Sequence, residues 1–199
     1  MIKTIIFDLG NVIVHVNHKT MFKKFETHSD KSLHFIESYY NNSSNRKLFE
    51  IGRISQINLY RAFVKDLNLR ISFNEFKKIY CSIFTLNNNV AKLIAKLKKK
   101  YRMVLLSNTD SLHFECIKSK FKIIGSFDEY VLSYKAGFAK PNPLIYLNAI
   151  KKSKTTPFNC VYIDDIPEFV YAARLMGIKA FQYKNFKKLK KDLKRAKVL

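Results

Sequence analysis

Residues Lys3-Thr4-Ile5-Ile6-Phe7-Asp8-Leu9-Gly10-Asn11-Val12-Ile13 decide the fold. Lys3 to Phe7 is a short β-branched and aromatic run, the pattern of a strand buried on both faces. Asp8 ends it, and Gly10-Asn11 is a turn signal. Three similar runs follow far downstream. Met103 to Leu106 ends at Ser107-Asn108-Thr109-Asp110, Tyr130 to Ser133 precedes Lys140-Pro141-Asn142-Pro143, and Cys160 to Ile163 ends at Asp164-Asp165. Lys179 to Tyr183 makes a fifth strand.

Between these runs the apolar residues take helical spacing. Val90, Leu93, Ile94 and Leu97 fall at i, i+3, i+4 and i+7. A helix runs from the Pro143 loop through Ile150, and another, after Asp165, stops at Gly177, a favourable residue just past a helix end. Strands alternating with helices predict an α/β fold, a doubly wound parallel sheet. Residues 17–86 read differently. Their apolar residues, Phe22 and Phe25, then Leu59, Phe63 and Leu67, suit helices only. Ser55 is a candidate cap for a helix from Gln56, and Asn41-Asn42-Ser43-Ser44-Asn45 reads as a loop. The expected organisation is a core of residues 1–16 and 87–199 with an all-helical insert at 17–86. Phe73, Phe76 and Tyr80 are expected in the core of that insert.

The chain has 199 residues, with 37 Lys and Arg against 15 Asp and Glu, a formal net charge of +22. That balance favours anionic partners. Lys, Asn, Ile, Phe and Tyr also share AT-rich codons, so genome composition accounts for the charge as well. The basic tail from Asn185 to Lys197 has Phe186, Leu189, Leu193 and Ala196 at helical spacing and reads as a final amphipathic helix. Aromatics at 14% argue against disorder. No apolar run has the ~20 residues of a membrane helix. The amino terminus lacks a basic segment and a cleavage site, so it is a poor signal peptide. Cys81, Cys116 and Cys160 are odd in number and widely spaced, which predicts three reduced thiols in a cytoplasmic protein. The five histidines show no metal-ligand spacing, and His15 and His18 read as surface or hinge residues.

In an open parallel sheet, ligands bind beyond the carboxyl ends of the strands. Asp8, Ser107 to Asp110, and Asp164-Asp165 stand at those ends, and Lys140 lies in the loop after the third strand. Clustered carboxylates repel unless a cation joins them, and an all-oxygen set with few protein ligands suits Mg²⁺ beside a phosphate. A lysine offsets charge on a carboxylate and on a phosphoryl group, and a hydroxyl binds a phosphate oxygen. The chemistry that fits is attack by a carboxylate on phosphorus, then hydrolysis of the aspartyl-phosphate.

These residues resemble the four motifs of the haloacid dehalogenase (HAD) superfamily. Ile5 to Ile13 looks like the first, Leu105-Leu106-Ser107-Asn108-Thr109 the second, and Lys140-Pro141-Asn142-Pro143 the third. Tyr162-Ile163-Asp164-Asp165, with Ala172 to Ile178, looks like the fourth. The Asp-Leu-Gly-Asn form is similar to a small bacterial α-glucose-1-phosphate phosphatase subgroup. The resemblance implies a Rossmann-like core with a cap at the helical insert. It implies Asp8 as nucleophile and Mg²⁺ ligand, with the Gly10 carbonyl and Asp165 as further ligands and Asp164 holding a bound water. Ser107 and the amide of Asn108 would bind phosphate, and Lys140 would bridge Asp8 and phosphate. The expected activity is a Mg²⁺-dependent phosphatase acting on a small phosphate ester, in one version a sugar phosphate. The alternatives are a metal-independent dehalogenase and a catalytically weak relative that binds polyanions. No membrane partner is expected, and nucleic acid is the minor alternative, through the basic surface.

Two departures stand out. Most phosphatases of the superfamily carry an acid–base Asp two residues after the nucleophile; here Gly10 stands there. The gap points to a good leaving group or to another proton donor, with Asn11, His15 and Asp110 as candidates. In the fourth motif, Phe169 replaces a polar residue.

Overall fold

The computed structural model describes residues 1–199. In chain order the elements are β1 (Thr4–Phe7), β2 (Val14–Val16), α1 (His18–Glu26), α2 (Leu33–Asn42), α3 (Ser44–Glu50), α4 (Gln56–Leu67), α5 (Phe73–Tyr80) and β3 (Phe84–Leu86). Then come α6 (Asn88–Leu97), β4 (Arg102–Ser107), α7 (Ser111–Lys120), β5 (Glu129–Leu132), α8 (Ser133–Ala136) and α9 (Pro143–Ser153). The chain closes with β6 (Cys160–Asp164), α10 (Pro167–Leu175), β7 (Lys179–Gln182) and α11 (Phe186–Arg195).

Five strands form one sheet in the order β5-β4-β1-β6-β7, and every pairing is parallel. The strand period of two divides their side chains between two apolar layers. Ile5, Phe7, Met103, Leu105, Val161 and Ile163 join the larger layer, where α6, α7 and α11 pack. Ile6, Val104, Leu106 and Tyr162 point the other way, against Ile145, Tyr146 and Ala149 of α9 and Val170 and Ala173 of α10. With both faces covered, β1 is buried throughout, as its unbroken apolar run requires. The sheet grows outward from β1 in both directions, so the crevice of the topological switch lies at its carboxyl end, where Asp8 stands.

Helix ends follow the sequence. Ser55, Asn87 and Asn185 cap α4, α6 and α11 by accepting from backbone N–H groups. Gly177, at φ 78°, takes the left-handed turn after α10. On α11, Leu189 and Leu193 are buried, while most of the lysines face outward. Helices α1 to α5 fall within residues 17–86, and Phe22, Phe25, Leu59, Phe63, Leu67, Phe76 and Tyr80 are buried there.

Three expectations are corrected. The stretch is not helical to its end. Phe84–Leu86 pairs antiparallel with Val14–Val16, a ribbon too short to leave a periodic signal. Asn41 to Asn45 is not a loop. Only Ser43 lies outside a helix, because its hydroxyl accepts from Arg46 N–H and starts α3 one residue after α2 ends. Finally, the thiols are not all free. Cys81 and Cys116 form a disulfide, with Cα atoms 6.2 Å apart, and only Cys160 is free. The packing of α5 on α7 brings them together across 35 residues of sequence, a proximity that spacing along the chain does not encode. No helix is long and apolar enough to cross a membrane.

Candidate active site

Four strand ends and loops meet in one cavity of about 260 Å³. Asp8, Ser107, Asn108, Lys140 and Asp165 all line it, with Gly10 beside them. Asp8 follows β1 and Ser107 ends β4, so parallel pairing of those strands sets their separation. Asp164 ends β6, and its fully buried side chain is reached through Lys140.

Lys140 is the hub. Its ammonium donates to Asp8 Oδ1 at 2.6 Å and to Asp164 Oδ2 at 2.6 Å, and it lies 3.1 Å from the Tyr162 hydroxyl. Only 1% of its side chain is exposed. Burial pulls its pKa down, but the two carboxylates more than compensate and hold it above the ordinary lysine value. The loop that carries it is fastened by Asn108, whose side-chain amide donates to the Lys140 carbonyl at 3.0 Å while its oxygen accepts from Lys140 N–H at 2.7 Å. Phe169 covers the remaining side, its ring centroid 4.9 Å from the ammonium. The aromatic ring at this position therefore makes a cation–π contact.

Asp8, Asp164 and Asp165 each present an oxygen within 4.8 Å of the others. Burial pushes the Asp8 carboxyl up to about 7, with Asp164 adding to the rise and Lys140 opposing it. Burial and then Asp164 likewise raise Asp165. One lysine thus leaves the cluster short of positive charge. An all-oxygen, electron-rich donor set of this kind fits a small hard cation. The three carboxylates are not equivalent. Asp164 is engaged within the chain: Oδ2 by Lys140 and the Tyr162 hydroxyl, Oδ1 by Ile166 N–H at 2.8 Å. Asp165 is only half-buried and accepts from Asn11 Nδ2 at 3.3 Å.

The three candidate proton donors fare differently. Asn11 lines the cavity in a left-handed conformation, φ 51°. Asp110 lines it too, but its carboxylate accepts from Tyr80 Oη at 3.1 Å and pairs with His113 Nδ1 at 2.9 Å. His15 lies outside this cavity, because alternation along β2 turns it away while Val14 and Val16 face in. Sequence reasoning missed Tyr162, His113, Tyr40, Arg46 and Glu50 here. The last three come from the insert, whose residues carry no motif. Tyr162 read as one more apolar residue of a buried strand.

The haloacid dehalogenase-like hydrolase family model matches residues 2–177. The chain is similar to a D-ribitol-5-phosphate phosphatase of Bacteroides thetaiotaomicron, 29% identical over 202 residues that cover 93% of each chain. It is also similar to flavin mononucleotide hydrolase 1 of Arabidopsis thaliana, 26% identical over 145 residues, 73% of this chain and 59% of that one. In fold it matches a HAD family enzyme of B. thetaiotaomicron, crystallised with magnesium and inorganic phosphate, at a TM-score of 0.85. That likeness has 23% identity and covers 92% of this chain and 95% of the other. Strand order, the carboxylates at the strand ends and the family match over most of the chain converge, and the chain belongs to the haloacid dehalogenase-like hydrolases.

Proposed function

We propose that the protein is a Mg²⁺-dependent phosphatase that hydrolyses a small phosphorylated metabolite through an aspartyl-phosphate on Asp8. The observation that carries this reading is the buried lysine at 2.6 Å from both Asp8 and Asp164 beside a further carboxylate. The curated relatives that act on phosphate esters support it.

Asp8 Oδ2, the oxygen not engaged by Lys140, would attack phosphorus as the bond from phosphorus to the leaving oxygen breaks. Water would then attack the aspartyl-phosphate, releasing inorganic phosphate and restoring the carboxylate. Lys140 holds Asp8 in place and neutralises charge that builds on the phosphoryl oxygens. Ser107 offers a hydroxyl to one phosphate oxygen. The Asn108 side chain serves the Lys140 loop, so its backbone N–H is the group left for phosphate. Asp8, the Gly10 carbonyl and Asp165 would hold Mg²⁺, with Asp164 engaged behind them through a bound water. When bound, the cation supplies Lewis-acid stabilisation of the phosphoryl charge. Helices α1 to α5 would act as a cap over the cavity.

A screen of phosphate monoesters, including ribitol 5-phosphate and flavin mononucleotide, tests this with Mg²⁺ and with EDTA. Turnover is expected only with the metal, and Asp8→Asn is expected to abolish it while the circular dichroism spectrum stays unchanged. Activity that survives EDTA, or survives in Asp8→Asn, rejects the mechanism; dehalogenation under EDTA would identify the metal-free alternative.

A further inference from the structure

The insert gives the cavity a polar wall of its own. Arg46 and Glu50 lie four residues apart on α3 and so share a helix face. Arg46 Nη1 meets Glu50 Oε2 at 3.0 Å. Two further contacts fix the guanidinium: Nε donates to the Tyr40 carbonyl at 3.0 Å, and the group stacks over the Tyr40 ring at 5.0 Å. Both side chains are about three-quarters buried, and both line the same cavity as Asp8.

The pair is also anchored to the core. The Ser133 hydroxyl accepts from Thr109 N–H at 2.9 Å, and its single proton is shared between the Glu50 carbonyl at 2.7 Å and the Thr109 carbonyl at 2.8 Å. Two residues on, Gly52 has φ 72°, and a Cβ there would stand 2.1 Å from the Tyr134 carbonyl oxygen. The end of α3 therefore lies directly on the start of α8. Arg46 and Glu50 are held at a set position relative to β4 and β5, although they belong to the insert.

The charge of this wall is informative. An unpaired arginine facing the phosphate site would attract a second anion, such as a carboxylate or a second phosphate. Glu50 cancels that charge. What remains is a set of unused guanidinium N–H donors beside the second carboxylate oxygen. A hydroxyl group both donates and accepts, so it matches such a neighbouring donor and acceptor. The cavity volume, about 260 Å³, lies below the usual range for drug-sized ligands. It suits a short chain better than a nucleotide.

Building on the phosphatase reading, we infer that Arg46 and Glu50 determine specificity by holding the hydroxyls, distal to the phosphate, of a phosphorylated polyol or sugar. Glu50 also keeps out substrates with a second anionic group by masking Arg46. A site that binds a substrate hydroxyl through buried polar groups discriminates strongly against analogues that lack it.

The experiment compares kcat/KM for ribitol 5-phosphate, 3-phosphoglycerate and 4-nitrophenyl phosphate in the wild type, Arg46→Met and Glu50→Gln. The wild type should prefer ribitol 5-phosphate to 3-phosphoglycerate by more than about tenfold. Arg46→Met should lower the ratio of ribitol 5-phosphate to 4-nitrophenyl phosphate by about tenfold or more. Glu50→Gln, which unmasks Arg46 with little change in shape, should shift preference toward 3-phosphoglycerate. Equal wild-type preference for the two metabolites, an unchanged preference for ribitol 5-phosphate in Glu50→Gln, or an unchanged ratio in a folded Arg46→Met overturns the inference. The wild-type comparison decides alone if a variant does not fold. Hydrolysis of 4-nitrophenyl phosphate with any of those outcomes overturns this inference and leaves the phosphatase reading intact. No hydrolysis of any probe overturns both.

Discussion

Gly10 stands where the motif resemblance would place an acid–base aspartate. The missing side chain is not forced by the fold. A Cβ on Gly10 would meet only Val16 Cγ2, at 3.7 Å, an ordinary contact. An added carboxylate two residues from Asp8 could therefore serve the leaving oxygen as acid. Gly10→Asp is expected to raise kcat on alkyl phosphates, poor leaving groups, by about 100-fold, the lower end of what acid–base catalysis supplies. Aryl phosphates, which leave without help, should gain much less. Equal gains on both classes would refute the account. Asp110 shows the opposite case, a carboxylate already committed. Burial would raise its pKa, but His113 and Tyr80 hold it below the ordinary aspartate range. A depressed carboxyl contributes stability that is present above its unfolded pKa of about 3.9 and lost as pH falls through the folded value. Urea melts should show wild-type stability dropping below about pH 4. Asp110→Asn should cost about 2 kcal/mol at pH 7 and remove that part of the slope.

At the scale of elements, the disulfide ties the end of α5 to α7. Closing a loop of 35 residues restricts the unfolded chain, an effect worth about 3–4 kcal/mol. Cys81→Ser should lose stability of that order. Alkylation in denaturant without reductant should label one cysteine, Cys160; labelling of three would show the thiols free. Most elements of the core were legible in the sequence because they carry their period: unbroken runs for β1, β4 and β6, and the 3.6-residue stripe of Val90, Leu93, Ile94 and Leu97, all four buried. Helix α7 was not legible, because its buried side chains, Leu112, His113, Phe114 and Ile117, include a polar one and form no clean apolar stripe, and the single turn of α8 is too short to show a period. The carboxylates and Lys140 were legible because parallel strands must end on one side. Three other kinds of feature were hidden, each for a physical reason. The β2–β3 ribbon is three residues long on each strand. The Cys81–Cys116 pairing and the Ser133–Glu50 contact depend on how separate helices pack. The Tyr162 hydroxyl does its work at the tip of a side chain whose ring is core.

For the whole molecule, the charge of +22 spreads over a surface with one acidic pocket. Long-range attraction of an anionic substrate is screened over about 8 Å at physiological ionic strength. Raising salt from about 20 to 300 mM should lower kcat/KM several-fold while leaving kcat nearly constant. If both fall together, salt acts on the site and not on encounter.

The insert is joined to the core at more than one place. The chain enters and leaves it through the paired strands β2 and β3. The Cys81–Cys116 disulfide and the Tyr80–Asp110 hydrogen bond fasten α5 to α7. Gly52 lies flush on Tyr134, and Ser133 Oγ stands 2.7 Å from the Glu50 carbonyl. A roof nailed at several corners does not swing like a door. Molecules that reach Asp8 must fit an entrance whose outline is already drawn, so sieving by size comes before any chemistry.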